Sequence, residues 1–255
     1  MRAFVLLSGG LDSTTALYLA AAEHGVENVE AIGIDYGQRH SRELRAAKEI
    51  CEQLGVNHTI LQLGEQHDSM LTNEHVEIPS ISYADIQGIS PTYVPFRNGQ
   101  MLSRLAAYAH NWSMKDEERN FGAGPEFQVD RDANPSEGVI YFGAHAEDAL
   151  NWAYPDCTPE FVGAMANAIY IGTYKRIRLI TPFLFSSKAD IVRTGFALQD
   201  RHPQYFRVPY EKTWSCYKGG DVHCGVCPTC RARQQAFATA EEDDPTFYAA
   251  MPEPA

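Results

Sequence analysis

The sequence predicts an α/β fold, a doubly wound parallel sheet with a small cysteine-rich unit near its C-terminal end. Three observations carry this. Short apolar runs alternate along the chain with stretches of helical spacing. The first apolar run ends in a Ser-Gly-Gly turn that leads into a row of helix formers. Four cysteines, Cys216, Cys224, Cys227 and Cys230, crowd into one short segment, a spacing that suits a metal better than a disulfide network.

Length and composition fit that class. With 255 residues, 44% of them apolar and 21% charged, the chain has ordinary globular usage and enough length for one α/β core with insertions. A formal charge of -12 argues against a surface that grips a phosphate backbone, so no nucleic-acid partner is signalled. No apolar stretch approaches the roughly 20 residues of a membrane span. The N-terminus runs straight into a strand without a signal-peptide pattern. The expectation is a cytoplasmic protein with no membrane partner.

The elements follow in order. Phe4 to Leu7 reads as a strand, the residues from Ser13 to Ala22 as a helix, and Val29 to Ile34 as a second strand. Leu44, Ala47, Ile50 and Leu54 recur at helical spacing before a third strand over His58 to Leu63. Gly64 to Pro95 lacks periodicity and carries Pro79, Pro91 and Pro95, which predicts a long irregular loop. Asn98 is placed to cap a helix reaching His110, with Met101, Leu102, Leu105 and Tyr108 on one face. Charge, Gly and Pro dominate Asn111 to Glu137, the pattern of an inserted, mobile surface excursion. A strand over Val139 to Gly143, a helix over Pro159 to Ile171 and a strand over Ile177 to Ile180 continue the alternation to Leu198. A short helix holding Gln235, Phe237 and Ala238 precedes an acidic tail. The expected organisation is an α/β domain over 1–209 with an insertion at about 111–137, a metal-binding unit over 210–240 and a tail over 241–255.

Ser8-Gly9-Gly10-Leu11-Asp12-Ser13-Thr14-Thr15 lies between strand and helix, where backbone amides and the positive helix end can bind an anion. It is neither of the common Gly-rich nucleotide motifs. A turn that merely joins strand to helix would use the same glycines. The motif resembles the pyrophosphate loop of the N-type ATP pyrophosphatases, the PP-loop superfamily, which cut ATP between the α and β phosphates and transfer AMP. That resemblance implies an ATP site over Leu7, Ser8, Gly9, Gly10, Leu11, Asp12, Ser13, Thr14 and Thr15. Ser13 and Asp12 would act in the reaction, and Mg²⁺ would neutralise phosphate charge.

Cys216, Cys224, Cys227 and Cys230 supply four thiolates, enough to close a tetrahedral structural Zn²⁺ site. An iron–sulfur cluster is a second candidate guest. His223 is surplus to that shell and reads as a surface residue or an outer support of the site. His40 reads equally as a loop residue or an active-site one.

Further segments, in order, narrow the resemblance: Tyr-Gly-Gln-Arg-His (36–40), Val-Pro-Phe-Arg-Asn (94–98), Ala-Glu-Asp (146–148), Tyr-Pro-Asp-Cys (154–157), Ser-Lys-Ala-Asp-Ile-Val (187–192) and Thr-Trp-Ser-Cys-Tyr (213–217). Together with the glycine loop and the cysteines they resemble the QueC family, the 7-cyano-7-deazaguanine synthases of queuosine biosynthesis, over most of the chain. The resemblance implies a Rossmann-like adenine nucleotide α-hydrolase fold with a C-terminal zinc knuckle. It implies a ligase that joins 7-carboxy-7-deazaguanine and ammonia through an adenylated acid and an adenylated amide, with ATP, Mg²⁺ and Zn²⁺ as cofactors and a homodimer as assembly. Lys188 would stabilise phosphate charge. Arg97, Asn98, Tyr154 and Asp156 would contact the substrate. Cys157 invites a nucleophile role, but ammonia needs no such intermediary, and a packing role is favoured.

Phe96 stands where the family usually has Gly, the segment between Asp148 and Tyr154 is longer than usual, and Thr158 replaces a common Arg. These departures keep a relative in view that stops at the amide or passes activated deazaguanine to a nucleic acid or protein acceptor.

Overall fold

The computed structural model describes residues 1–37, 42–64, 71, 89–90, 92–121, 137–201 and 207–249. Five parallel strands, β1 (Arg2–Leu6), β2 (Val29–Asp35), β3 (Asn57–Gln62), β4 (Gly138–Tyr141) and β5 (Ile177–Ile180), form one sheet in the order β3-β2-β1-β4-β5. The helices are α1 (Leu11–His24), α2 (Arg42–Leu54), α3 (Arg97–Phe121), α4 (Pro159–Gly172), α5 (Lys188–Arg201) and α6 (Pro228–Ala240).

A strand alternates its side chains between two faces, and β1 is buried on both. Ala3 and Val5 pack with residues of α1, α2, α5 and α6, while Phe4 and Leu6 pack with residues of α3 and α4. This is the doubly wound arrangement expected from the sequence. The continuous apolar run of β1 follows from it, because neither face meets water.

The strand order fixes where a ligand can sit. The chain builds outward from β1 to β3 and then returns to place β4 on the other side of β1. The connections after β1 and β4 therefore diverge, opening a crevice at the carboxyl ends of the sheet. Val5 is paired with Ala31 on one side and Tyr141 on the other, so the loops after β1 and β4 emerge side by side. Gly143 permits this closeness: a Cβ there would lie 3.1 Å from the backbone of Asp12 and Ser13.

Three features differ from the sequence reading. Helix α3 begins at Arg97 and runs to Phe121, well beyond His110. Asn111 to Phe121 is thus helix and not part of an irregular excursion; its Met, Lys, Glu and Arg residues are all good helix formers. Asn98 does not cap this helix but lies in its first turn, where its own backbone N–H donates to Asp156 Oδ2 at 2.9 Å. Residues from the acidic tail fold back on the cysteine unit: Asp244 accepts from the fully buried Arg233, and Ala249 N donates to His223 O at 2.8 Å. Gln38, Arg39 and His40, most of the segment read as a long loop, and 122–136 lie outside the described residues.

Candidate active site

The Ser-Gly-Gly loop occupies the carboxyl end of β1. Gly9 has φ +84°, and a Cβ on it would lie 2.4 Å from the carbonyl oxygen of Glu43 in α2, so only glycine fits. The Ser8 and Ser13 hydroxyls face each other at 3.0 Å, and Ser13 Oγ accepts from Ser8 N at 3.2 Å. The turn thereby folds over the start of α1 and presents its hydroxyls at a positive helix end. Leu7, Ser8, Gly10, Asp12 and Ser13 line an adjoining cavity of about 220 Å³. Leu11, Thr14 and Thr15 are buried in the protein instead, and Thr15 Oγ1 is 3.0 Å from Tyr210 Oη.

Lys188, the first residue of α5, reaches across to the same loop. Its Nζ donates to Asp12 Oδ2 at 2.8 Å and lies 3.3 Å from His145 Nε2. His145 is buried, with Asp12 Oδ2 at 3.7 Å and Asp148 Oδ2 at 3.5 Å. Burial alone would raise the Asp12 carboxyl, but Lys188 and His145 hold it well below the usual carboxylate range. Burial opposes the charge on Lys188 and His145, and the carboxylates of Asp12 and Asp148 outweigh it, so both are raised. The cluster therefore keeps an ammonium beside the loop near neutral pH. Glu147 helps to place it by accepting from Lys188 N at 2.8 Å.

The four expected substrate residues divide. Arg97 and Asn98 line the cavity, whereas Tyr154 and Asp156 stand behind its wall. Tyr154 is buried, and its hydroxyl bonds Ser90 Oγ at 3.0 Å and also Thr92. Asp156 serves the start of α3: besides Asn98 N, the Asn98 amide donates to its backbone oxygen at 3.2 Å. Arg97 has its guanidinium 5.7 Å from the centre of the Tyr36 ring. Cys157 lines the cavity, and burial first, then Asp148 and Asp156, push its thiol well above its ordinary value. A neutral, buried thiol suits packing better than nucleophilic attack.

Sequence reasoning missed several cavity residues. Glu43 and Asp148 had no assigned role, nor had the aromatic side chains of Tyr36, Trp214 and Tyr217, nor His145 beside Lys188. Burial pushes the Glu43 carboxyl up to about 7 against the opposing pull of Arg97. An acidic residue in the first turn of an amphipathic helix is ordinary, so nothing local set Glu43 apart. Trp214 carried a signal, since it neighbours Cys216, and its backbone N–H donates to Gly9 O at 2.8 Å. The cysteine unit thus ties directly onto the loop.

The Sγ atoms of Cys216, Cys224, Cys227 and Cys230 all lie within 4.8 Å of one another, and all four thiols are free. Backbone N–H groups of Cys224, Val226 and Cys227 point at the sulfurs of Cys216 and Cys224. Hydrogen bonds from Cys216 and Cys230 hold the Cys227 thiol far below its ordinary value. Four sulfurs with supporting amides fit a closed tetrahedral metal shell. His223 is not a surface residue: it is buried, its Nε2 accepts from Ser215 N at 3.0 Å, and its ring lies 4.3 Å from that of Trp214. Burial, helped by Arg233, lowers it to about 4. Asp12 Oδ1 is buried with no hydrogen-bond partner among the described residues. An oxygen left free beside a phosphate-type loop fits a hard divalent cation.

The sequence matches the family model described as "Queuosine biosynthesis protein QueC" over residues 2–117 and 133–241. The chain belongs to the QueC family. A relative from Thermoplasma acidophilum named 7-cyano-7-deazaguanine synthase is 39% identical over 258 residues, covering 98% of this chain and 93% of the relative. One of the same name from Caldicellulosiruptor bescii is 39% identical over 251 residues, covering 97% of each. Among solved structures, the U34-tRNA thiolase NcsA from Methanococcus maripaludis with its [4Fe-4S] cluster is similar at a TM-score of 0.41 and 14% identity. That match covers 94% of this chain and 65% of the thiolase and carries no weight for function. The protein is therefore an ATP-dependent enzyme of queuosine biosynthesis. No helix among the described residues is long and apolar enough to cross a membrane.

Two departures from the usual QueC pattern have local explanations. Phe96 adopts φ 53°, and its ring covers Gly99, where a Cβ would lie 2.3 Å from it, and meets Phe161 edge-on at 5.7 Å. Thr158 caps α4, its Oγ1 accepting from Phe161 N at 3.2 Å. Both substitutions serve the packing and ends of helices.

Proposed function

We propose that this QueC-family enzyme converts 7-carboxy-7-deazaguanine and ammonia to 7-cyano-7-deazaguanine, consuming two ATP and releasing two AMP and two diphosphates. The observation that carries the reading is the convergence, at one cavity, of the Ser8–Ser13 loop and Asp12, whose carboxylate carries the Lys188 ammonium behind it. The shared name of the full-length relatives supplies the substrate.

In this scheme the substrate carboxylate oxygen attacks the α-phosphorus of ATP and diphosphate leaves. The loop amides and the Ser8 and Ser13 hydroxyls hold the departing phosphates. Lys188 lies where negative charge accumulates, and a preorganised cation there lowers the barrier without reorganising solvent. Asp12, helped by Asp148, keeps its ammonium charged and aimed. Ammonia then attacks the acyl carbon, the bond to AMP oxygen breaks, and the amide forms with loss of one proton. The amide oxygen attacks a second ATP, and departure of AMP with both N–H protons leaves the nitrile. Each round replaces a poor oxygen leaving group with AMP.

Mg²⁺, when bound, would neutralise phosphate charge, and Asp12 Oδ1 fits it. Zn²⁺ held by Cys216, Cys224, Cys227 and Cys230 would cross-link the C-terminal unit, with no open position for substrate.

The test is a reaction of the purified protein with 7-carboxy-7-deazaguanine, ammonium, Mg²⁺ and ATP, followed by product mass. The nitrile is expected. The amide as end product would point to the relative that stops halfway, and no AMP release would refute the reading.

A further inference from the structure

The chemistry of a deazaguanine requires a protein acceptor for its N1–H and 2-amino donors, and a donor for its carbonyl oxygen. Three carboxylates line the cavity: Asp12, Glu43 and Asp148. Asp12 is bound to Lys188 and Asp148 pairs with His145. Asp156 is committed to the start of α3 and lies off the cavity wall. Glu43 has no hydrogen bond or ion pair among the described residues. Arg97 lines the same cavity and makes no ion pair with it. Tyr36, Trp214 and Tyr217 add aromatic faces on which a purine plane can stack.

We infer that Glu43 reads the N1–H and 2-amino edge of the deazaguanine while Arg97 donates to its carbonyl oxygen. This deepens the proposed function and rests on it. A carboxylate beside a guanidinium complements the acceptor-donor-donor edge of a guanine-type ring. The edge of adenine, which donates and then accepts, finds like against like. The pair thus separates the substrate from the nucleotide that activates it.

Accepting two N–H groups requires the ionised carboxylate. Burial, against the opposing pull of Arg97, raises the Glu43 carboxyl to about 7 in the free enzyme. The groups that share its surroundings are Arg97 from α3, Tyr36 just after β2, Asp12 from the first turn of α1, Asp148 from the segment after β4, Cys157 just before α4, and Cys216 and Tyr217 from the C-terminal unit. Because the bound form is the anion, substrate affinity should rise as pH rises through about 7.

The experiment compares AMP release by the native enzyme and Glu43→Gln with 7-carboxy-7-deazaguanine and with its analogue lacking the 2-amino group. The native enzyme should show a KM about 10- to 100-fold higher for the analogue. Glu43→Gln should raise KM for the parent by a similar factor, erase the preference, keep kcat within a few-fold and flatten the pH dependence of KM. Glu43→Asp should restore part of the preference. Melting of each variant and equilibrium binding of the parent compound check that a change reflects recognition. An unchanged KM and preference in a folded Glu43→Gln protein would overturn the inference, as would a lower kcat at unchanged KM, which would put Glu43 on the chemical step. Failure of the native enzyme to release AMP with either compound would instead remove the substrate reading, and this inference with it.

Discussion

Replacing Gly9 with alanine tests the loop at the point where geometry is least forgiving. The residue sits at φ +84°, where a Cβ costs about 1–2 kcal/mol. The added carbon would also lie 2.4 Å from Glu43 O and 2.8 Å from Ala47 N, both backbone atoms that cannot rotate away. Reaching even 3.0 Å moves the loop or α2 by several tenths of an ångström. Helix α2 is held by Ala47 and Ile50, which are fully buried in the core, and forcing such packing costs a further ~1–3 kcal/mol. A total of about 2–5 kcal/mol, at roughly 2–4 °C per kcal/mol for a chain of this size, lowers the melting temperature by about 4–20 °C. If the loop yields instead, Ser8 and Ser13 lose register and the bond from Trp214 N to Gly9 O breaks. Thermal melting and substrate-dependent AMP release are read on the same preparation. A variant that melts within about 2 °C of the native protein and releases AMP at the native rate would refute the reasoning.

Lys188→Ala should slow AMP release by about 10²- to 10³-fold with little change in overall fold, measured by single-turnover kinetics. Because Asp12 is held below its unfolded value of 3.8, the pair contributes stability that is present above that pH and lost as pH falls toward the folded value; melting temperature should therefore fall less steeply with acid in Lys188→Ala than in the native protein. Cys227→Ala should abolish bound zinc, measured by atomic emission, and lower the melting temperature; a metal-free variant of native stability would contradict the structural role. Asp156→Ala, which removes the acceptor at the start of α3, should cost about 0.5–2 kcal/mol in a denaturant titration, with Asp156→Asn recovering much of it.

The strands and their burial on both faces were legible because periodicity and apolar runs are local properties. The glycine loop and the cysteine spacing were legible for the same reason. What escaped depended on contacts between distant segments. Asp156 and Asn98 both carried the family pattern, yet only the fold brings one to the start of the helix holding the other. His223 is buried because Trp214 and the returning tail cover it, and nothing beside it in sequence signals either. The end of α3 is illegible for another reason: charge without periodicity is the pattern of a loop, although residues such as Lys115, Glu117 and Glu118 favour helix. Glu43 became visible only when the cavity showed which carboxylates were already paired.

The central claim is that one cavity carries out two adenylations in succession. The most direct measurement counts AMP released per molecule of product, with product identity taken from its mass, in a reaction of the zinc-loaded enzyme with 7-carboxy-7-deazaguanine, ammonium, Mg²⁺ and excess ATP. The account predicts the nitrile with two AMP for each molecule, and the amide as a transient bearing one. A nitrile formed with a single AMP, or an amide that accumulates and is never consumed, would contradict it.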